Sequence, residues 1–146
     1  LGEDIDSDLH LESLPGIQVS YDENELVGKP LVEMAYAYPI LPNQNGREKI
    51  LKHFDHMLRE EERDYFDKQR KKFGIVEVKS WFQKSADREY LVVYQKFTKN
   101  SSEIAECLEN AVDGDQKMKN HFKLYSEVSG LTIKQLNPEL ELVPFM

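Results

Sequence analysis

Residues 75–98 read IVEVKSWFQKSADREYLVVYQKFT, and this stretch decides the fold. From Ile75 to Gln83, Val76, Val78, Ser80 and Phe82 alternate with Ile75, Glu77, Lys79, Trp81 and Gln83. That period of two predicts a strand. Tyr90 to Thr98 is dense in aromatic and β-branched residues, which suit a pleated surface. The polar run Lys84 to Glu89 joins the two as a hairpin connection.

Upstream, Leu31 to Leu41 predicts another strand. Val32, Met34, Tyr36, Tyr38 and Ile40 alternate with Leu31, Glu33, Ala35, Ala37 and Pro39. Both sets are mostly apolar, so the strand is expected to be covered on both faces. Between it and the hairpin, Arg47 to Phe73 reads as one long helix. Its apolar stripe holds Ile50, Leu51, Phe54, Met57, Leu58 and Tyr65. Gly74 stands where a left-handed residue would end it.

Downstream, Asn100 and Glu103 have capping-box spacing. A helix follows with Ile104, Cys107, Leu108 and Ala111 on its stripe. Asp113-Gly114-Asp115 interrupts it, and a second piece carries Met118, Phe122 and Tyr125 up to Gly130. Leu131 to Leu142, broken at Asn137-Pro138, is expected to form the last strand. The order β-α-β-β-α-β, with the second helix in two pieces, is an α+β ferredoxin-like arrangement with an antiparallel sheet. A sheet apolar on both faces needs a second cover, and a second copy of the chain is the simplest.

The chain has 146 residues, of which 32% are charged and 40% hydrophobic, the make-up of one soluble globular domain. A single cysteine, Cys107, excludes an internal disulfide framework and a cysteine-rich zinc site. No run is long and apolar enough to span a membrane. No signal-like segment is visible, though one could have been removed; the expected compartment is the cytoplasm. The net charge of −8 is uneven. Residues 1–28 hold eight acidic residues and no Lys or Arg, and removing those eight from 27 leaves 19 against 19 basic residues. We divide the chain accordingly into an acidic arm, 1–28, and a ferredoxin-like domain, 29–146. The arm reads as a solvated extension, or as a segment that packs on a partner through Leu9, Leu11, Leu14, Ile17 and Val19. A neutral body behind an acidic arm lacks the basic face that nucleic acid or an anionic membrane requires.

The run from Val32 to Leu142 resembles the dimeric α+β barrel superfamily, and within it a small group of bacterial domains of unknown function. The features that carry the likeness are the first strand leading into a long charged helix, Phe73-Gly74-Ile75, and the Trp81-Phe82 pair within Glu77 to Gln83. A tyrosine-rich third strand and the Pro-Glu-Leu-Glu stretch at Pro138 to Glu141 complete it. The resemblance implies two ferredoxin-like subunits packed sheet to sheet. The superfamily includes cofactor-free monooxygenases, haem-degrading enzymes, chlorite dismutases, isomerases and plain ligand binders, so the likeness sets no single chemistry.

Two candidate catalytic residues follow. Carried from Ile50 at about 100° per residue, Glu61 falls inside the apolar stripe. An inward carboxylate is either a general acid or base, or a structural group held by a Tyr or Lys or reaching solvent at the stripe's edge. His121 flanks the stripe of the last helix and loosely resembles the cavity histidine of some barrel monooxygenases. Glu77 and Trp81 share a strand face, so Glu77 is a candidate to meet Glu61 across a pocket, or to pair on the sheet. Tyr36, Trp81 and Tyr94 belong to an aromatic sheet that serves as core and interface or as the lining of a ligand pocket. His53 and His56, three apart, have a metal-compatible spacing but no third ligand, and read as solvated. Cys107 reads as a small buried hydrophobe. The chain lacks a Gly-rich phosphate loop, a Gly-x-Ser-x-Gly elbow and a zinc-protease helix motif.

Three functions are compatible: a binder of a small apolar or aromatic molecule, a cofactor-independent monooxygenase- or isomerase-like enzyme, and an interaction module using the acidic arm. No cofactor or metal is expected.

Overall fold

The hairpin forms as expected and organises the sheet. In the computed structural model, which describes residues 9–42, 45–112 and 114–136, β4 (Ile75–Ser85) pairs antiparallel with β5 (Arg88–Phe97). The two-residue turn, Ala86 and Asp87, is tighter than the polar run suggests, and Ala86 takes φ 55°. A bulge between Ile75 and Glu77 lets Ile75 turn inward with Val78, Ser80 and Phe82.

Strand β3 (Val32–Pro39) pairs antiparallel with β5, so β5 lies between β3 and β4. The chain from β3 reaches β4 through α2 (Gly46–Leu58) and α3 (Glu60–Phe73), which pack on one face of the sheet. Helices α4 (Ser101–Val112) and α5 (Gln116–Ser129) follow, with the expected break between them. The Asn100–Glu103 capping box is present: each backbone N–H donates to the other's side chain, at 3.2 and 2.9 Å. Gly74 and Gly130 both close helices in the left-handed region, at φ 76° and 74°. Phe82, Ile50, Leu91 and Val128 form the driest part of the core. Architecturally, this is an α+β fold with an antiparallel sheet against helices.

Three expectations are corrected. Arg47 to Phe73 is not one helix. Arg59 adopts extended backbone, φ −63° and ψ 143°, and ends α2 while starting α3. Glu60, Glu61 and Glu62 then fall at a new helix N-terminus, where the dipole favours negative charge.

Second, the acidic segment is not simply a solvated arm. β1 (Leu9–Ser13) and β2 (Ile17–Gln18) both pair with β4 and form the sheet edge, in the order β1-β4-β5-β3. The register slips by one residue across Leu14-Pro15-Gly16, a place where an edge strand tolerates proline. Leu14, Ile17 and Val19 are buried, and the Tyr21 hydroxyl donates to the Ile75 carbonyl at 2.7 Å. Glu12 pairs with Arg47, so part of the charge is used internally. A short helix, α1 (Glu23–Leu26), leads on to β3.

Third, Ile133–Leu136 is a helix, α6, and not part of a strand. Thr132 and Gln135 cap it reciprocally, the Thr132 N–H donating to Gln135 Oε1 and the Gln135 N–H to Thr132 Oγ1. That capping-box pattern competes locally with the strand pattern. The rest of the expected strand, residues 137–142, lies outside the described residues. No helix of the described residues is long and apolar enough to cross a membrane.

Candidate functional site

Between the sheet and the helices lies a cavity of about 170 Å³. Its sheet wall carries Tyr36 and Tyr38 from β3, Ser80 from β4, and Val93 and Gln95 from β5. The helix wall carries Phe54 and Met57 from α2, Phe66 and Arg70 from α3, and His121 and Tyr125 from α5. Alternation along the strands explains the first group, since these are the positions that face the helices.

The site's centre of charge is Arg70, only 8% exposed. Nη1 donates to Asp67 Oδ1 at 3.1 Å, and Nη2 points at Met57 Sδ at 3.6 Å. Burial pulls its pKa down, and Asp67 partly offsets that. The guanidinium also sits 5.9 Å from the Phe66 ring centroid.

Beside Arg70, His53 Nε2 and His121 Nδ1 lie 2.7 Å apart. Such a contact requires one imidazole to donate and the other to keep a lone pair. Phe66 and Tyr125 pack edge-on to His53, and the Tyr125 ring stands 4.9 Å from that of His121. Burial is the main cause that pushes His53 down to about 4 and His121 to about 3. Neighbouring charge adds to it: His56 and Arg70 for His53, and His53 and Arg70 for His121. Burial raises the Tyr125 phenol well above its usual range, while Arg70 opposes the shift. At neutral pH the pair is therefore uncharged, able to accept a hydrogen bond but weak as a base and not a standing acid.

Of the sequence-derived candidates, the structure brings Tyr36 and His121 to this cavity. Glu61 is exposed on α3 and does not line it. The cause is the break at Arg59. An unbroken wheel turns Glu61 inward and Phe66 and Arg70 outward; restarting the helix reverses both. Glu77, Trp81 and Tyr94 point to the opposite face of the sheet, so Glu77 and Glu61 do not meet. Lys79 and Lys96 hold Glu77 at 3.4 and 3.6 Å. Burial would raise its pKa, but the two ammonium groups outweigh that and keep it low. Tyr94 donates to Glu33 at 2.6 Å, a bond that helps push its pKa up to about 12. Trp81 Nε1 donates to Gln83 Oε1 at 3.3 Å.

Sequence reasoning missed Arg70 and Tyr125 as site residues and read His53 as solvated. Phe66 and Phe73, seven apart on an otherwise charged helix, were the available signal for the buried face that includes Arg70. The half-buried Cys107 donates its thiol to the Lys72 carbonyl and does not line this cavity. Among the described residues, no three His, Cys, Asp or Glu side chains are grouped to hold a metal ion. No protein-family model, curated protein or solved structure matches the chain.

Proposed function

We propose that this protein binds a small molecule with an apolar or aromatic body in the helix–sheet cavity. The observation that carries the reading is the cavity itself, aromatic-walled with a few convergent polar groups, which is the usual make-up of a ligand site. Its volume is close to the roughly 150 Å³ of an apolar cavity that admits benzene. Indole and toluene are suitable first probes by calorimetry, alongside native mass spectrometry of the purified chain for any retained ligand. Val93 lines the cavity, so Val93→Phe should abolish probe binding while circular dichroism stays unchanged. A bare-mass protein that takes up neither probe would refute the reading.

The His53–His121 contact favours a second reading, a cofactor-independent enzyme in which the neutral His121 imidazole lining the cavity orients a bound substrate through a hydrogen bond. Its mark would be turnover lost in His121→Gln with ligand affinity retained.

We also propose that two chains associate through the outer sheet face, as in a dimeric ferredoxin-like barrel. Support comes from the half-buried Trp81 and Val92 on that face, with Leu11 61% exposed at its edge. Sedimentation of the wild type should give a two-chain mass, and Trp81→Glu a one-chain mass. A one-chain wild type at micromolar concentration would remove this reading and leave the cavity reading in place.

A further inference from the structure

We infer that the cavity ligand carries a carboxylate, read by Arg70 with help from the Tyr36 hydroxyl. The inference rests on the cavity-binding reading and specifies its ligand. Two strong donors line the cavity from opposite walls, and both end on thioether sulfur. Arg70 Nη2 on α3 points at Met57 Sδ at 3.6 Å, and the Tyr36 hydroxyl on β3 donates to Met34 Sδ at 3.0 Å. Thioether sulfur is a weak acceptor. Each donor therefore gains when a better acceptor arrives. Among the described residues, Arg70 is the buried cation of the lining, and it is shared with one partly exposed carboxylate, Asp67.

A guanidinium N–H gains most from an ionised acceptor, because a charge-assisted hydrogen bond is about twice as strong as a neutral one. Asp67 occupies Nη1 and leaves Nη2 directed into the space beside Met57. The volume limits the ligand to about the size of a substituted benzene ring. An aromatic monocarboxylate fits all of these features: its ring lies against the aromatic walls and its anion reaches Arg70.

The probes are benzoate and its neutral isostere benzamide, with toluene as a cavity control, titrated by calorimetry near neutral pH. Benzoate should bind wild type about tenfold or more tightly than benzamide, the scale of one charged hydrogen-bonding partner in a buried site. Arg70→Met should erase that preference and leave benzamide affinity within about threefold. Tyr36→Phe, a milder change whose lost bond is only to sulfur, should weaken benzoate and spare benzamide. Equal binding of benzoate and benzamide to wild type overturns the inference, as does a preference that survives in Arg70→Met or is undiminished in Tyr36→Phe. Toluene binding without benzoate binding also overturns it while the cavity reading stands. Failure of all three probes removes the cavity reading itself, and the carboxylate inference with it.

Discussion

Acidification should destabilise this protein in a window where carboxylates do not yet titrate. The perturbation is a change from about pH 8 to pH 5. Above the window His53 and His121 are neutral in both the folded and the unfolded chain. As the pH falls through about 6.5, the unfolded chain takes up a proton on each imidazole. The folded chain does not until about 4 for His53 and about 3 for His121. The unfolded state then binds more protons, so stability falls as the pH falls. At pH 5 the loss is about 2 kcal/mol for each histidine and at most about 4 kcal/mol for the pair. That is a large share of the 5–15 kcal/mol typical of a domain. The groups packed around the pair do not cancel this, since Arg70 on α3 adds positive charge and Tyr125 on α5 stays protonated. Glu25, Glu62, Glu77 and Asp115 have lowered pKa values. Their contributions are present above the ordinary carboxylate range and are lost only below this window. Urea unfolding at several pH values would read the slope directly, with His53→Gln/His121→Gln as the non-titrating reference. Wild type should lose several kcal/mol across the window and the double variant about 1 or less. A wild-type profile that is flat, or one that the double variant reproduces, would refute the buried neutral pair.

Other substitutions test the scaffold. Leu14→Ala should cost about 2–5 kcal/mol in urea unfolding, because Leu14 is buried where the acidic segment joins the sheet. Leu11→Ala, at a 61% exposed neighbour on the same edge, should stay within about 0.5 kcal/mol. Gly74→Ala should cost about 1–2 kcal/mol or more, since φ is 76° and a Cβ would stand 2.7 Å from Lys99 Cγ and 2.8 Å from Thr98 Oγ1. Asp115 caps α5 through the Met118 N–H and accepts from Tyr65, so Asp115→Ala should lower stability by about 1–2 kcal/mol, seen as a shifted urea midpoint.

Legibility followed the range of the interaction. The β4–β5 hairpin, the Asn100–Glu103 box and the glycines that end α3 and α5 are settled by neighbours in the chain, and each was readable there. The Thr132–Gln135 box is equally local but coincides with a strand-like alternation in the same residues. The break at Arg59 left no proline or glycine to mark it, and a wheel carried through it inverted the whole of α3. That single inversion put Glu61 in the site and Arg70 out of it. The choice of sheet face was just as hidden, because β3 and β4 carry apolar residues on both sides. Tyr36 therefore reached the cavity while Trp81 and Tyr94 did not.

The sequence by itself determined the α+β class, the antiparallel hairpin, the split of the second helical region and the imbalance of charge. Periodicity, capping and turn chemistry are set within a few residues, so they can be read along the chain. Tertiary structure alone decided what surrounds the cavity. His53 and His121 are 68 positions apart and meet only because α2 and α5 pack together. Arg70 loses its solvent only when α3 closes over the sheet. The apolar residues at Leu14, Ile17 and Val19 turn an acidic segment into a sheet edge only because β4 offers it unpaired backbone groups. Burial, and with it the chemistry of an ionisable side chain, depends on the neighbours that folding supplies from distant parts of the chain.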